Sequence, residues 1–588
     1  MRAACALLLS AALLAEEPFF PLERVRAGMR GVGRTVFAGD RIEEFGVEIL
    51  GVLENVGPKQ SLVLARLGGD RLEKTGILQG MSGSPVYLEG RLLGAVAMAF
   101  AFAKEPIAAI RPMQDLLAVR SIEEERPRRA AVRLTDRQLT TVFAPGQEVA
   151  WGGLRLVDIA TPLAFSGFTR RTLEQFAPEL RALGLEPLQG VSSGTRGPLN
   201  YGNPAALKPG AMITVQLLAG DMSVGADGTV THIAGDRVYA FGHRLLAMGR
   251  TELPFARAEV LTVVPALSAS FKISAPREWM GVITEDRSTG ITGELGRRCE
   301  LVPVSIEVLR HNHRQAPPRH ASYRLQMVRD RLLSPVLLQM AVFSAIDATE
   351  QALGSATLQV QGEYEFRDGS GPLRLRNMFA GDVNLPLQAS AATAVPLAYV
   401  LQSGFDALEL KKVHLEIEVF AERRQLQIEQ VWASRRQVRP GEDLELIVLL
   451  RGENQLELTR KAVYRVPEGV PPGPLLITVS DGTSANFAEY QQLLTRIPKS
   501  PAQLIRLVNS LRPNTHVYVR VARAEPSFDV LGYSLPDPPP SLALILGRLQ
   551  TGLGSALPSM QSKLAEMELE VGQRVVSGSK TIQVEVRQ

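Results

Sequence analysis

Short apolar or alternating runs follow one another closely through the first hundred residues, at 32–37, 44–53, 61–67, 85–88 and 92–100. Gly, Asp and Pro separate them, and each is long enough for a strand but short for a stable helix. The Glu89-Gly90 pair between two of the runs reads as a hairpin turn in which Gly90 takes a positive φ. This spacing commits the N-terminal part of the chain to a sheet fold with tight turns.

At 588 residues the chain has room for about four domains of ~150 residues, each with its own core. Apolar residues make up 45% and charged residues 21%, ordinary globular values that exclude a fibrous or disordered main body. The net charge of +4 is small, and no Lys/Arg block is interleaved with aromatics, so no nucleic-acid partner is expected.

Met1, Arg2 and an apolar run from 3 to 15, followed by Glu16, Glu17 and Pro18, have the layout of a signal peptide over 1–15. Export to the periplasm or outside the cell is therefore expected. That run and the stretch 92–103 are both too short to span a ~30 Å bilayer as a helix, so no integral span is expected. Cys5 lies inside the signal segment, leaving Cys299 alone; with no internal disulfide available, it reads as a buried, inert thiol.

The best division is 16–118 as a first half of a core, 119–139 as a charged linker, and 140–308 as a second half with a helix at 172–183. Long alternating segments at 358–366, 413–420, 444–450 and 475–479 then suggest β-sandwich modules at 309–425 and 426–525, the second immunoglobulin-like. Pro536-Asp537-Pro538-Pro539-Pro540 makes a stiff hinge within a C-terminal tail, 526–588.

The stretch Gly80-Met81-Ser82-Gly83-Ser84-Pro85 carries the clearest chemistry. A nucleophilic serine needs a tight turn that exposes its hydroxyl while backbone N–H groups converge on a developing oxyanion. Gly80 and Gly83 permit the turn, and the N–H groups of Gly80 and Ser82 would form the oxyanion hole. A plain Gly/Ser-rich turn between strands is the bland alternative. Among seven histidines, His243 has the best setting for a base: it ends the strand Val238-Tyr239-Ala240-Phe241-Gly242-His243 beside a glycine. A lone histidine is more often a satisfied polar residue, so its meaning depends on pairing with Ser82.

Residues 26–102 resemble the serine-bearing half of the SpoIVB-type serine peptidases. The likeness rests on Thr35-Val36-Phe37, Ile42-Glu43-Glu44-Phe45, Val47-Glu48-Ile49, the run from Thr75 to Pro85, and Leu93-Gly94-Ala95-Val96. Asp227-Gly228-Thr229-Val230-Thr231, Phe241-Gly242-His243, Gly281-Val282-Ile283-Thr284 and Gly290-Ile291-Thr292-Gly293 resemble the histidine-bearing half of the same family. The resemblance implies a mainly β, trypsin-like double β-barrel peptidase core in permuted order, followed by the β-sandwich modules. In the family the histidine half comes first; here the serine half does. Triads are defined by geometry rather than chain order, so the reversal is compatible with catalysis if the halves dock.

The family places an aspartate shortly before the nucleophile loop, which carries the acid role onto Asp70, with Asp221 and Asp236 as alternatives and solvated turn aspartates as the bland reading of all three. His311-Asn312-His313 lacks a completing ligand, so neither a metal nor a cofactor is assigned. The expected activity is that of a serine endopeptidase acting on a protein or peptide substrate, in envelope signalling by analogy, with a possible envelope protein partner for the C-terminal modules. The alternative is a catalytically silent, peptidase-like scaffold or binding protein of the cell envelope.

Overall fold

The computed structural model describes residues 19–57, 60–100, 103–118, 148–151, 154–190, 199–311, 318–349, 355–487, 498–530, 533–548 and 556–588. The expected signal peptide and the whole of the expected linker lie outside these residues. The chain divides into two compact units, the first ending at Glu300 and the second beginning its main body at Leu301. The boundary thus falls a few residues before the expected 308, because the strand Val302–His311 pairs with strands of the second unit.

The fold is mainly β. In the first unit, β1 (Arg30–Ala38), β2 (Arg41–Gly57), β3 (Gln60–Gly68), β5 (Pro85–Leu88) and β6 (Arg91–Phe100) realise the runs seen in the sequence, and β7 (Ile107–Pro112) is a further strand beyond them. Between them lie helix α1 (Asp70–Thr75) and the short strand β4 (Leu78–Gln79), and α2 (Met113–Leu117) follows β7. Antiparallel pairing runs β5-β1-β2-β3-β7-β6, and β5 also pairs with β6, closing a ring of six strands. Alternate side chains point inward, and Phe45, Val47, Ile49, Val63, Ala65, Leu67, Val86 and Ile110 share one core. At the Glu89-Gly90 turn both residues have positive φ, 49° and 78°, as a tight hairpin between right-twisted strands requires.

Strands β8 (Glu148–Trp151), β9 (Leu154–Asp158), β10 (Thr161–Ser166) and β11 (Leu185–Gln189) follow, with α3 (Arg170–Ala182) crossing between the parallel pair β10 and β11. Thr169 caps that helix by accepting from the Thr172 N–H. Next come β12 (Met212–Gly220), β13 (Ser223–Ala234), β14 (Arg237–Ala240), β15 (Gly249–Val264), β16 (Ser270–Arg287) and β17 (Gly290–Leu295). Their antiparallel order is β13-β14-β17-β16-β15-β12, and the pairing of β12 with β13 closes a second six-stranded ring.

In its first part the second unit departs from the expected β-sandwich. Strands Val302–His311, Arg319–Met327, Ala356–Phe366, Leu373–Gly381 and Leu410–Phe420 form adjoining members of one sheet, with two apolar helices, Leu333–Thr349 and Leu385–Leu401, packed on each other. These helices are apolar on nearly every face, and such a run shows neither the 3.6 nor the 2.0 period that reveals an element in sequence. Further on, a four-stranded and a five-stranded sheet share one core that includes Ile428, Leu446, Tyr464, Ile477, Val519 and Val584. The segment expected as hinge and tail contributes Ser562–Glu570, Val575–Ser577 and Ser579–Val586 to those sheets. Its alternation, modest and charge-rich, serves half-buried strands rather than a free tail. Cys299 is half-buried rather than buried. Among the described residues, no helix is long and apolar enough to cross a membrane.

Candidate active site

The loop after β4 is held from both rings. Although it belongs in sequence to the first ring, β4 pairs in parallel with β16 of the second, Leu78 opposite Ser270 and Gln79 opposite Phe271. The Thr229 N–H of β13 donates to the Ser82 carbonyl (2.9 Å), the Thr229 hydroxyl to the Gly80 carbonyl (2.9 Å), and the Thr231 hydroxyl to the Gly83 carbonyl (2.7 Å). On its other side the Gly83 N–H donates to the Val96 carbonyl of β6 (2.8 Å), and the Val96 N–H returns to the Ser84 carbonyl (3.0 Å).

Gly83 has φ +92°, and a Cβ there would stand 2.1 Å from the Thr229 carbonyl oxygen and 2.5 Å from the Phe241 nitrogen. The glycine is therefore required by the meeting of two backbones, one residue from Ser82 and two from His243. The Met81, Gly83 and Ser84 N–H groups are committed to carbonyls within this turn and β6; among the described residues no backbone acceptor takes the Ser82 N–H.

Phe241 and Gly242 both have positive φ, 70° and 68°. For a buried phenylalanine this is a strained conformation, held because the ring fills space against Gly228 on β13. The turn they make lays Gly242 on β6, where a Cβ would come within 2.9 Å of the Ala95 Cβ and 3.4 Å of the Ala97 Cβ. On the far side of His243, the buried Asp286 accepts three backbone bonds, from Leu245 (2.8 Å), Leu246 (2.8 Å) and Met248 (3.2 Å). Burial raises the Asp286 pKa despite those bonds.

Ser82 and His243 are 0% and 2% exposed. The His243 Nδ1 lies 2.7 Å from the Arg244 carbonyl oxygen, which can only accept, so Nδ1 carries the proton and Nε2 is the basic nitrogen of the neutral ring. Neither Nε2 nor the Ser82 Oγ has a hydrogen-bond partner, and both are buried. The serine–histidine bond of a working dyad is thus not made in this conformation. Burial lowers the His243 pKa, opposed by the charge of Asp158 and by the Arg244 carbonyl, and assisted by the charges of Arg111 and Arg244.

The expected acid, Asp70, stands exposed in the first turn of α1, and Asp221 and Asp236 occupy exposed turns on either side of β13. The carboxylate whose field reaches His243 is Asp158. It ends β9 opposite Met98, and the adjoining Ile159 N–H donates to the Ala97 carbonyl (3.0 Å), next to the stretch of β6 on which Gly242 rests. Its sequence setting, Leu156-Val157-Asp158-Ile159, is an ordinary strand end with no motif around it, and only the pairing of β9 with β6 brings it to the histidine. Among the described residues no group of three or more His, Cys, Asp or Glu side chains is placed to hold a metal. His311 meets Glu418 at 2.8 Å, while Asn312 and His313 lie outside the described residues.

Residues 22–107 match the SpoIVB peptidase S55 family. The match contains the Ser82 loop and Asp70 but ends before Arg111, Asp158 and His243. It supports a peptidase, a hydrolase whose substrate is protein; the ring that carries His243 lies beyond the match and meets it through the pairing of β4 with β16 and the bonds from β13 to the Ser82 loop. The chain has no match among the curated proteins or the solved structures.

Proposed function

We propose that the first unit is a trypsin-like serine endopeptidase of permuted order, its two six-stranded rings being the two barrels of that fold. The observation that carries this reading is the bonding of the serine loop to β13 of the other ring, which brings the Ser82 turn and the Gly242–His243 turn against the same residues of β6. In the working conformation the Ser82 Oγ attacks the scissile carbonyl and His243 Nε2 takes its proton. The Gly80 and Ser82 N–H groups receive the oxyanion, and the proton passes from Nε2 to the leaving amine as the acyl-enzyme forms; water then repeats the sequence. Asp158, rather than Asp70, stabilises the imidazolium.

Burial of both reactive atoms without a mutual bond means that a protein substrate enters only after the turn regions part. The same observation favours a second reading, in which the site is silent and the molecule is a scaffold of the cell envelope. Export to the periplasm or cell exterior, a role in envelope signalling and the docking of an envelope partner on the C-terminal sheets belong to the proposal under either reading. Incubation of the purified protein with an unfolded protein substrate separates the two. The peptidase reading expects fragments from the wild type and none from Ser82→Ala of unchanged circular dichroism; fragments from both would clear Ser82 of the role.

A further inference from the structure

Arg111, on β7, is 0% exposed, yet it carries a guanidinium into the interior beside the histidine turn. Its Nε donates to the Gly242 carbonyl (3.0 Å), and one terminal nitrogen reaches the Gln60 Oε1 (3.3 Å) and stands 4.0 Å from the Asp115 carboxylate. A fully buried cation is costly unless its donors are placed on acceptors, and here the acceptor is the peptide carbonyl immediately preceding His243. The Phe241–Gly242 turn is strained and lies on the small side chains of β6, so something must hold it in place. Arg111 sits one strand over from that contact, opposite Ala95 in the β6–β7 register.

We propose that Arg111 is a positioning residue for His243, fixing through the Gly242 carbonyl the turn that aims the imidazole at the nucleophile loop. The inference rests on the peptidase reading only for its catalytic consequence; the clamp itself is a property of the fold. Its charge acts in the same place. The charged groups that face the ring are Asp158 from β9, Arg111 from β7 and Arg244 from the ring's own turn, with Asp286 of β16 acting on Arg244; the β6 residues beneath the turn are apolar. Burial is the main cause that keeps the ring neutral, as a base must be; the Arg111 charge adds to it, against the pull of Asp158 toward the imidazolium.

The test is the titration of His243 by NMR in protein carrying isotope-labelled histidine, with the resonance assigned by its loss in His243→Gln. Arg111→Met removes the charge at similar length, and Arg111→Lys keeps the charge without the Nε fork. The expected result is that Arg111→Met raises the proton affinity of His243 about tenfold, since loss of a neighbouring cation favours the imidazolium. Arg111→Lys leaves that affinity close to wild type but slows fluorophosphonate reaction at Ser82 about tenfold, through a turn held less well. An unmoved titration in Arg111→Met, or wild-type reaction rates in Arg111→Lys, overturns the proposal. Should Arg111→Met fail to fold, Arg111→Lys decides. Should the wild type not react with fluorophosphonate at all, the peptidase reading fails, while the His243 ring resonances of Arg111→Lys still judge the clamp: displaced from wild type if the turn depends on the Nε bond to the Gly242 carbonyl, unmoved if it does not.

Discussion

At the scale of single residues, the site is defined by which polar atoms have partners. His243 commits Nδ1 to the Arg244 carbonyl and leaves Nε2 basic, and burial holds its pKa below the ordinary histidine value. A base must be neutral to act, so the acidic limb of the activity profile should have its midpoint below ~6.5, where an unperturbed histidine titrates. Rates of hydrolysis or of probe labelling from pH 4 to 8 check this; a midpoint at or above 7 would contradict the lowered pKa. Ser82, Gly80, Gly83 and His243 were legible in the sequence because turn glycines and a strand-end histidine are local patterns. Asp158 and Arg111 were not, because each acquires its meaning only from a neighbouring strand, and an isolated aspartate at a strand end carries no local mark.

Among the elements, β13 is the part that joins one ring to the turn of the other. The Thr229 hydroxyl donates to the buried Gly80 carbonyl, and removing it leaves that carbonyl without its side-chain donor. Thr229→Val is nearly isosteric and should cost about 1–3 kcal/mol of stability, with a larger proportional loss of Ser82 reactivity, because the serine turn loosens. Thr229→Ser restores the hydroxyl and should recover most of both. Chemical denaturation read beside labelling rates tests this, and an unchanged Thr229→Val protein would show that the contact does not hold the loop. Strands with punctuated alternation were readable from sequence, as β1, β2, β3, β5 and β6 show. The helices Leu333–Thr349 and Leu385–Leu401 were hidden inside an expected β-sandwich because a helix buried on most sides has no polar stripe.

For the molecule as a whole, the consequential feature of the first unit is that two rings from separate stretches of chain share polar bonds across their junction. Lys272 of β16 is buried, its Nζ donating to the Thr35 hydroxyl of β1 (2.8 Å), and Asp227 of β13 is buried with bonds from Thr214 (2.5 Å) and Ser274 (2.6 Å). Burial lowers the Lys272 pKa to about 7, against the pull of Asp227, and raises that of Asp227 to about 6. Between pH 7 and the ordinary lysine value near ~10.4 the unfolded chain binds a proton at this site that the folded chain does not, so this group's contribution to stability grows as pH rises through that window. The stability of wild type relative to Lys272→Met should therefore increase from pH 7 to 10, and a flat difference in denaturant midpoints would contradict it. That the two halves would have to dock could be read from the reversed order of the motifs; the surface along which they do so could not, since it is made of threonine hydroxyls and small β6 residues. Whether the docked halves form one reactive centre is decided by exposing the purified protein to a fluorophosphonate and locating the adduct by mass spectrometry. The peptidase reading predicts a single adduct on Ser82 that is abolished in His243→Gln, whereas an unmodified Ser82, or modification indifferent to His243, would contradict it.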